Sequence, residues 1–222
     1  VFHGPGGFFY PVGLAPDTQT GTELRDTFGS FLKQYSIMGQ RTDVDALAST
    51  FASTPTISID YHLLHHPAEP RIQSPSPPHP ELMISTPKPG EWKRLLPLQI
   101  AYEVEEVLLP GRRPNPAASK ANLTESLRSQ IVLVAHFRGE AIARVATNAR
   151  GYTVDQIGGV YTDPSWRGRG LARWLMSHLM HRVAREGRGT SLFVKRHNTA
   201  ALRLYDHLGF SFESDFRISY YG

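Results

Sequence analysis

The sequence predicts an α/β fold: a mixed central sheet flanked by helices, preceded by a smaller α/β unit. Three observations carry this. Short runs rich in β-branched and aromatic residues alternate with segments of helical period along the chain. A proline-rich stretch at 68–80 divides the chain in two. Finally, Gly159 to Ala172, GVYTDPSWRGRGLA, joins a strand to a helix through a glycine-rich turn. With 222 residues, there is room for one large domain or two small ones.

In the first part, 1–67, Gly6 to Gly13 reads as a short strand. Thr22 to Tyr35 reads as a helix with Leu24, Phe28, Phe31 and Leu32 on one side. Asp43 to Phe51 follows as a second helix, capped by Thr42 or Asp43. Thr56 to Leu64 alternates Ile57, Ile59 and Tyr61 against Ser58, Asp60 and His62, which is the period of a strand. His62, His65 and His66 have no carboxylate or thiol beside them, so they read as surface histidines at a strand end rather than as a metal site. The prolines of Ala68 to Pro80 exclude a regular helix or a central strand and favour an extended linker.

The second part, 81–222, opens with a strand at Leu82 to Thr86. A helix from about Glu91 to Leu109 carries Trp92, Leu95, Leu98 and Tyr102 on its period and holds a kinking Pro97. A loop at Pro110 to Ser119 and a short helix from Leu123 to Ser129, capped by Asn122, come next. Ile131 to Phe137 and Glu140 to Thr147 form a hairpin about Arg138-Gly139. Gln156 to Thr162 is the central strand, ended by Asp163-Pro164. Leu171, Leu175, Leu179 and Val183 mark the apolar stripe of the next helix. Ser191 to Lys195 is a strand, Thr199 to Leu208 a helix stopped by Gly209, and Phe210 to Tyr221 a final strand.

Composition bounds the function. The apolar fraction of 40% and charged fraction of 20% describe a globular chain, not a disordered one. A net charge of +4 suits an anionic ligand without demanding nucleic acid. No cysteine is present, which excludes disulfides, thiolate metal sites and a cysteine nucleophile. No apolar run is long enough for a membrane span, and with no signal peptide visible the expected compartment is the cytoplasm. The chain starts at Val1, so trimmed residues before it are compatible with that reading.

The chemistry gathers at Arg167-Gly168-Arg169-Gly170. A helix start has unpaired N–H groups and the positive end of a dipole, and glycine lets an anion approach the backbone, so this turn suits a pyrophosphate. It is neither a Rossmann fingerprint, since Arg173 stands where the third glycine belongs, nor a P-loop. Taken alone it is also compatible with a solvated basic turn.

A second segment narrows the choice. Arg167 to Ala172 fits the pattern Q/R-x-x-G-x-G/A, and Asn198, Ala201, Tyr205, Gly209 and Phe210 fit N-x-x-A-x-x-x-Y-x-x-x-G-F. With the element order, these make 81–222 resemble the GNAT superfamily of N-acetyltransferases, and the first part resembles, more weakly, a reduced copy of the same fold. The resemblance implies acetyl-CoA or another acyl-CoA as donor and an amine as acceptor; the residues themselves offer no metal, nucleic-acid or membrane signature. By the family pattern the backbone of Val160, Tyr161 and Thr162 receives the acyl and pantetheine portion. The amides of Arg167, Gly168, Arg169, Gly170, Leu171 and Ala172 hold the pyrophosphate, Asn198 contacts the pantetheine arm, and Tyr205 protonates the departing thiolate. Tyr205 could instead serve only in packing.

A base that deprotonates the amine is harder to name. Many relatives carry a glutamate on the central strand, where this chain has Asp155-Gln156-Ile157-Gly158-Gly159. Asp155, Glu105, Glu106 and a water relay are the alternatives. Trp92 and Trp174 read as packing residues, while His178, His181 and the run Arg173, Arg182, Arg185 and Arg188 read as a solvated helix face, with contact between that run and the CoA 3′-phosphate as the alternative.

Overall fold

The structure, a computed structural model, describes residues 1–4, 7–13, 23–24, 26–27, 34–52, 54–69 and 75–222. Its first elements are β1 (Phe2–Gly4), β2 (Phe8–Tyr10), β3 (Tyr35–Gln40), α1 (Arg41–Phe51), β4 (Ile57–His66) and β5 (Leu82–Ser85). Then come α2 (Trp92–Tyr102), continued by a π-helical turn at Glu103–Val107, α3 (Pro116–Ser129), β6 (Val132–Phe137) and β7 (Glu140–Arg150). The chain ends with β8 (Val154–Thr162), α4 (Leu171–Ala184), β9 (Gly189–Lys195), α5 (Thr199–His207) and β10 (Ser211–Tyr221). The α/β class with mixed strands holds.

Contacts divide the chain into two compact units that do not follow sequence order. One takes Val1–Leu64, Phe193–Leu202 and Ser211–Gly222, the other His65–Leu192 and Arg203–Phe210. In the first, β3 pairs antiparallel with β10 over six residues, from Phe216↔Gln40 to Tyr221↔Tyr35. The core of this unit is Phe9, Tyr35, Ile37, Val44, Leu47, Phe51 and Tyr221, with the rings of Tyr35 and Tyr221 stacked at 4.5 Å. Tyr35, expected at the end of a helix, instead starts a strand, because Tyr35, Ser36 and Ile37 are all buried in this long-range pairing. Most of the helix expected at Thr22 to Tyr35 lies outside the described residues. Neither Thr42 nor Asp43 caps α1. The N-cap is Gln40, without a side-chain bond, and the Asp43 carboxylate accepts the Gly13 N–H at 3.0 Å.

In the second unit the strands run β9-β8-β7-β6-β5, parallel only between β8 and β9. Helices α2 and α3 cover one face, where Leu95, Leu123 and Leu127 meet Val132, Val134 and Ala146. Strand side chains alternate between faces, so Leu133 points the other way, beside His178 of α4. Helix α3 begins earlier than its apolar pattern suggested. Asn115, not Asn122, is the cap: its Oδ1 accepts the Ala117 and Ala118 N–H groups at 3.0 and 3.2 Å, and Pro116 occupies the first helical position. Helix α4 buries Trp174 and Met176 besides the predicted stripe. Among the described residues no helix is long and apolar enough to cross a membrane.

Candidate functional site

Strand β8 changes character halfway along. Its parallel ladder with β9 runs from Val154↔Gly189 to Ile157↔Leu192. Toward β7, Arg144 pairs with Tyr161 and Ala146 with Gly158, so Gly159 and Val160 together face Val145. That is a bulge, and Gly159 takes φ +61 to make it. A Cβ at Gly159 would lie 3.2 Å from Arg144 Nη2, and at Gly158 the Asn148 side chain leaves no room for one. At Gly159 the positive φ calls for glycine, and at Gly158 a Cβ would displace the Asn148 side chain, at the point where the strand splays.

After β8, Asp163 organises the turn by accepting the Ser165 N–H at 2.9 Å. Gly168 and Gly170 have φ +73 and +80, with no atom within 4 Å of a Cβ at either. Conformation, not crowding, calls for glycine there, and the space in front is open. Gly170 is the N-cap of α4 and brings no side-chain cap, while the first-turn amides of a helix have no acceptor within it. The backbone therefore presents donors to an anion. The flanking guanidiniums are turned elsewhere. Arg167 donates to Glu105 Oε2 at 2.6 Å and to the Thr162 carbonyl at 3.1 Å, and lies 5.6 Å over the Tyr161 ring. Its bond to Glu105 raises its pKa. Arg169 lies 4.7 Å over the Trp166 ring.

Tyr205, on α5, is 6% exposed. Burial, with the Glu106 carboxylate and Tyr102 nearby, pushes its pKa well above that of a free phenol, so it keeps its proton throughout the neutral range. Burial also raises Tyr102, opposed by Arg144 and by a hydrogen bond with the Gly159 backbone. The Tyr102 and Tyr161 rings meet edge-on at 6.4 Å. Tyr205, Tyr102, Glu106, Tyr161 and the bulge at Gly159 thus form one neighbourhood.

The candidate bases separate. Asp155 is 0% exposed, 2.9 Å from Arg188 and 3.3 Å from Arg150. The shorter contact is an ion pair whose N–H is not aligned as a hydrogen bond. Arg188 and Arg150 also hold Glu186, at 2.5 Å in the case of Arg150. Asp155 is a structural carboxylate, and Arg188 belongs to its network rather than to a solvated helix face. Glu105 is bound to Arg167. Glu106 lies near the two phenols.

Sequence reasoning missed the buried chain behind this neighbourhood. Arg144, 6% exposed, donates to Gln99, whose Nε2 donates to Glu103 at 2.7 Å, and Ser119 donates to the other oxygen of Glu103. Burial lowers the Arg144 pKa, with Tyr102 and Glu103 opposing. The available signal was a lone charge inside the apolar run Ala141 to Ala146. Asn198 is half-buried, and its Oδ1 accepts the Ala201 N–H at 3.1 Å, which makes it the cap of α5. Among the described residues no group of three or more His, Asp or Glu is placed to hold a metal ion.

The profile of the acetyltransferase (GNAT) family matches residues 99–210, half of the chain, and the protein belongs to that family. A mycothiol acetyltransferase of Gordonia bronchialis is 44% identical over 59 residues, which is 25% of this chain and 19% of that protein. The chain therefore aligns with about a fifth of the length of that curated relative. Among solved structures, a GNAT-family acetyltransferase of Colwellia psychrerythraea superposes with a TM-score of 0.63 at 11% identity, covering 99% of this chain and 80% of its own. A tandem GNAT protein from the clavulanic acid biosynthesis pathway does so at 0.61 and 14% identity, covering 90% and 68%. At these identities the structural likeness speaks for the fold.

Proposed function

We propose that this protein transfers an acetyl group from acetyl-CoA to an amine by direct attack, with no covalent enzyme intermediate. The observation that carries the reading is the buried phenol of Tyr205 near Glu106 and Tyr102, the latter held at the bulge of Gly159. An ammonium must lose a proton before it can attack, and Glu106 is the carboxylate suited to take it. The amine nitrogen then bonds to the thioester carbon, and negative charge develops on the carbonyl oxygen. A backbone N–H of the splayed part of β8, at Val160 to Thr162, stabilises that charge. As the carbon–sulfur bond breaks, the thiolate takes the Tyr205 proton and the second proton of the attached nitrogen restores the phenol, giving the amide and free CoA.

The open, left-handed glycines at 168 and 170 fit a pyrophosphate held on the amides of Arg167 to Ala172. Asn198 keeps the pantetheine contact that the family resemblance gives it, through the amide group its capping bond leaves over. The N-terminal part, residues 1–67, is assigned an accessory role as a reduced copy of the fold, a reading supported by the likeness to a tandem GNAT protein. The test is a thiol assay of CoA release from acetyl-CoA against a panel of amines. Amine-dependent release is expected. Tight CoA binding with no release from any amine would reduce the protein to a binding module.

A further inference from the structure

Tyr102 is the last residue of α2, and three contacts fix it against the splayed strand. Its oxygen accepts a hydrogen bond from the Gly159 N–H at the bulge, its ring meets Tyr161 edge-on at 6.4 Å, and the Arg144 guanidinium lies 5.7 Å from the same ring. A phenol has one O–H and two lone pairs, so an oxygen that accepts from Gly159 keeps its own hydrogen to donate. The residue is half-buried, and burial holds its pKa above that of a free phenol, so that hydrogen is present throughout the neutral range.

Arg144 gives this phenol a setting that packing does not require. The side chain is 6% exposed, and its Nη2, Cζ and Nε lie 3.2, 3.5 and 3.5 Å from where a Cβ would stand at Gly159. Its Nε has no hydrogen-bond partner among the described residues. Burying a cation is costly, and apolar side chains in place of such a network are often as stable. A guanidinium pressed against both the bulge and the Tyr102 ring favours negative charge that forms at either. That attraction is larger where water is excluded.

We propose that Tyr102 is a further catalytic residue, whose hydroxyl, held on the Gly159 N–H and backed by the Arg144 charge, donates a second hydrogen bond to the thioester carbonyl oxygen beside the one from the β8 backbone. The proposal rests on the acetyltransferase reading. As the amine nitrogen bonds to the carbonyl carbon, an electron pair moves onto the carbonyl oxygen, where the Tyr102 O–H and the backbone N–H hold it. The pair returns as the carbon–sulfur bond breaks. No proton leaves Tyr102, and Tyr205 remains the donor to the thiolate. Arg144 acts through Tyr102 and the bulge, which makes it a positioning residue.

The test uses the whole chain and two readouts. In the CoA-release assay at saturating amine, Tyr102→Phe lowers kcat by about 100-fold, the scale of losing one oxyanion donor, and leaves KM for acetyl-CoA nearly unchanged. Arg144→Met also lowers kcat, and Arg144→Lys, which keeps the charge, recovers part of the loss. The second readout needs no turnover: the infrared stretch of the isotope-labelled carbonyl in bound acetyl-CoA. A hydrogen bond to the oxygen weakens the double bond, so the stretch lies at lower frequency in the wild-type protein than in Tyr102→Phe. Should Tyr102→Phe fail to fold, Arg144→Met replaces it, with a higher frequency than Arg144→Lys expected and equal frequencies overturning the proposal. A folded Tyr102→Phe variant with unchanged carbonyl frequency, or with wild-type kcat, overturns it and leaves the acetyltransferase reading standing. Binding of acetyl-CoA without CoA release to any amine refutes that reading instead, and the carbonyl frequency still decides whether Tyr102 is the donor. A chain that does not bind acetyl-CoA refutes both.

Discussion

Replacing Asp155 with asparagine separates structural from catalytic carboxylates. Asp155 is completely buried, with Arg188 and Arg150 at 2.9 and 3.3 Å. Breaking a buried ion pair by removing one partner costs about 3–5 kcal/mol, because the remaining charges stay behind. The Arg188 and Arg150 side chains are 18% and 34% exposed and still hold Glu186, so the lower end, about 3 kcal/mol, applies here. In a chain of this size each kcal/mol moves Tm by about 2–4 °C, so Asp155→Asn should melt about 6–12 °C lower. Calorimetric or circular-dichroism melting reads the shift. Turnover per folded molecule, measured well below Tm, should be unchanged. An unaltered Tm together with a loss of about 100-fold in turnover would make Asp155 the general base and overturn this reasoning.

Tyr205→Phe keeps the ring and removes only the hydroxyl, so turnover at saturating acceptor should fall by about 100-fold or more while Tm and CoA affinity barely change. Glu106→Gln should cost a similar factor of about 100 in turnover at saturating acceptor. At Gly170, φ is +80 with open space ahead, so Gly170→Asp should fold at a cost of about 1–2 kcal/mol and lose about 10–100-fold in CoA affinity by calorimetry. Burial lowers the pKa of His136 and of His178, the latter aided by His181. Just below the ordinary histidine value of about 6.5 the unfolded chain therefore binds more protons than the folded one. Stability should fall as pH drops through that window, and replacing both histidines by glutamine should flatten the slope in pH-resolved melts.

The sequence made the second unit legible where local chemistry and tertiary demand agree. The hairpin at Arg138-Gly139 forms with both residues at positive φ, and the glycines at 168 and 170 adopt the left-handed backbone that an open helix start needs. Legibility failed where distant pairing decided. Tyr35 to Gln40 carries Gly39 and two polar residues and looks weak as a strand, but β10 supplies its partner from the far end of the chain. Asn115 was hidden by a local preference for starting the helix at its first leucine. Within the site, spacing pointed to residues but not to which way they face. Only the fold separates Glu105 from Glu106 and turns Asp155 inward.

A cationic Arg144 sits inside this unit, where burial penalises its charge and its Nε lacks a hydrogen-bond partner among the described residues. Its compensation runs through Gln99 to the Glu103 carboxylate, which Ser119 also supports. Replacing such a network by apolar side chains is often neutral or stabilising, so stability alone does not account for it. Its placement does. One end lies against Gly159, where β8 bulges; the other is Glu103, the first residue of the π turn that carries Glu105 and Glu106. The Arg144 guanidinium also lies 5.7 Å from the ring of Tyr102, the residue just before that turn. A shift of either the bulge or the turn would break a buried charged hydrogen bond, at a cost of about 1–3 kcal/mol. Arg144 thereby locks the strand proposed to stabilise the oxyanion to the turn proposed to take the proton. Positioning of this kind, which neither element provides alone, is what direct transfer between two bound molecules requires.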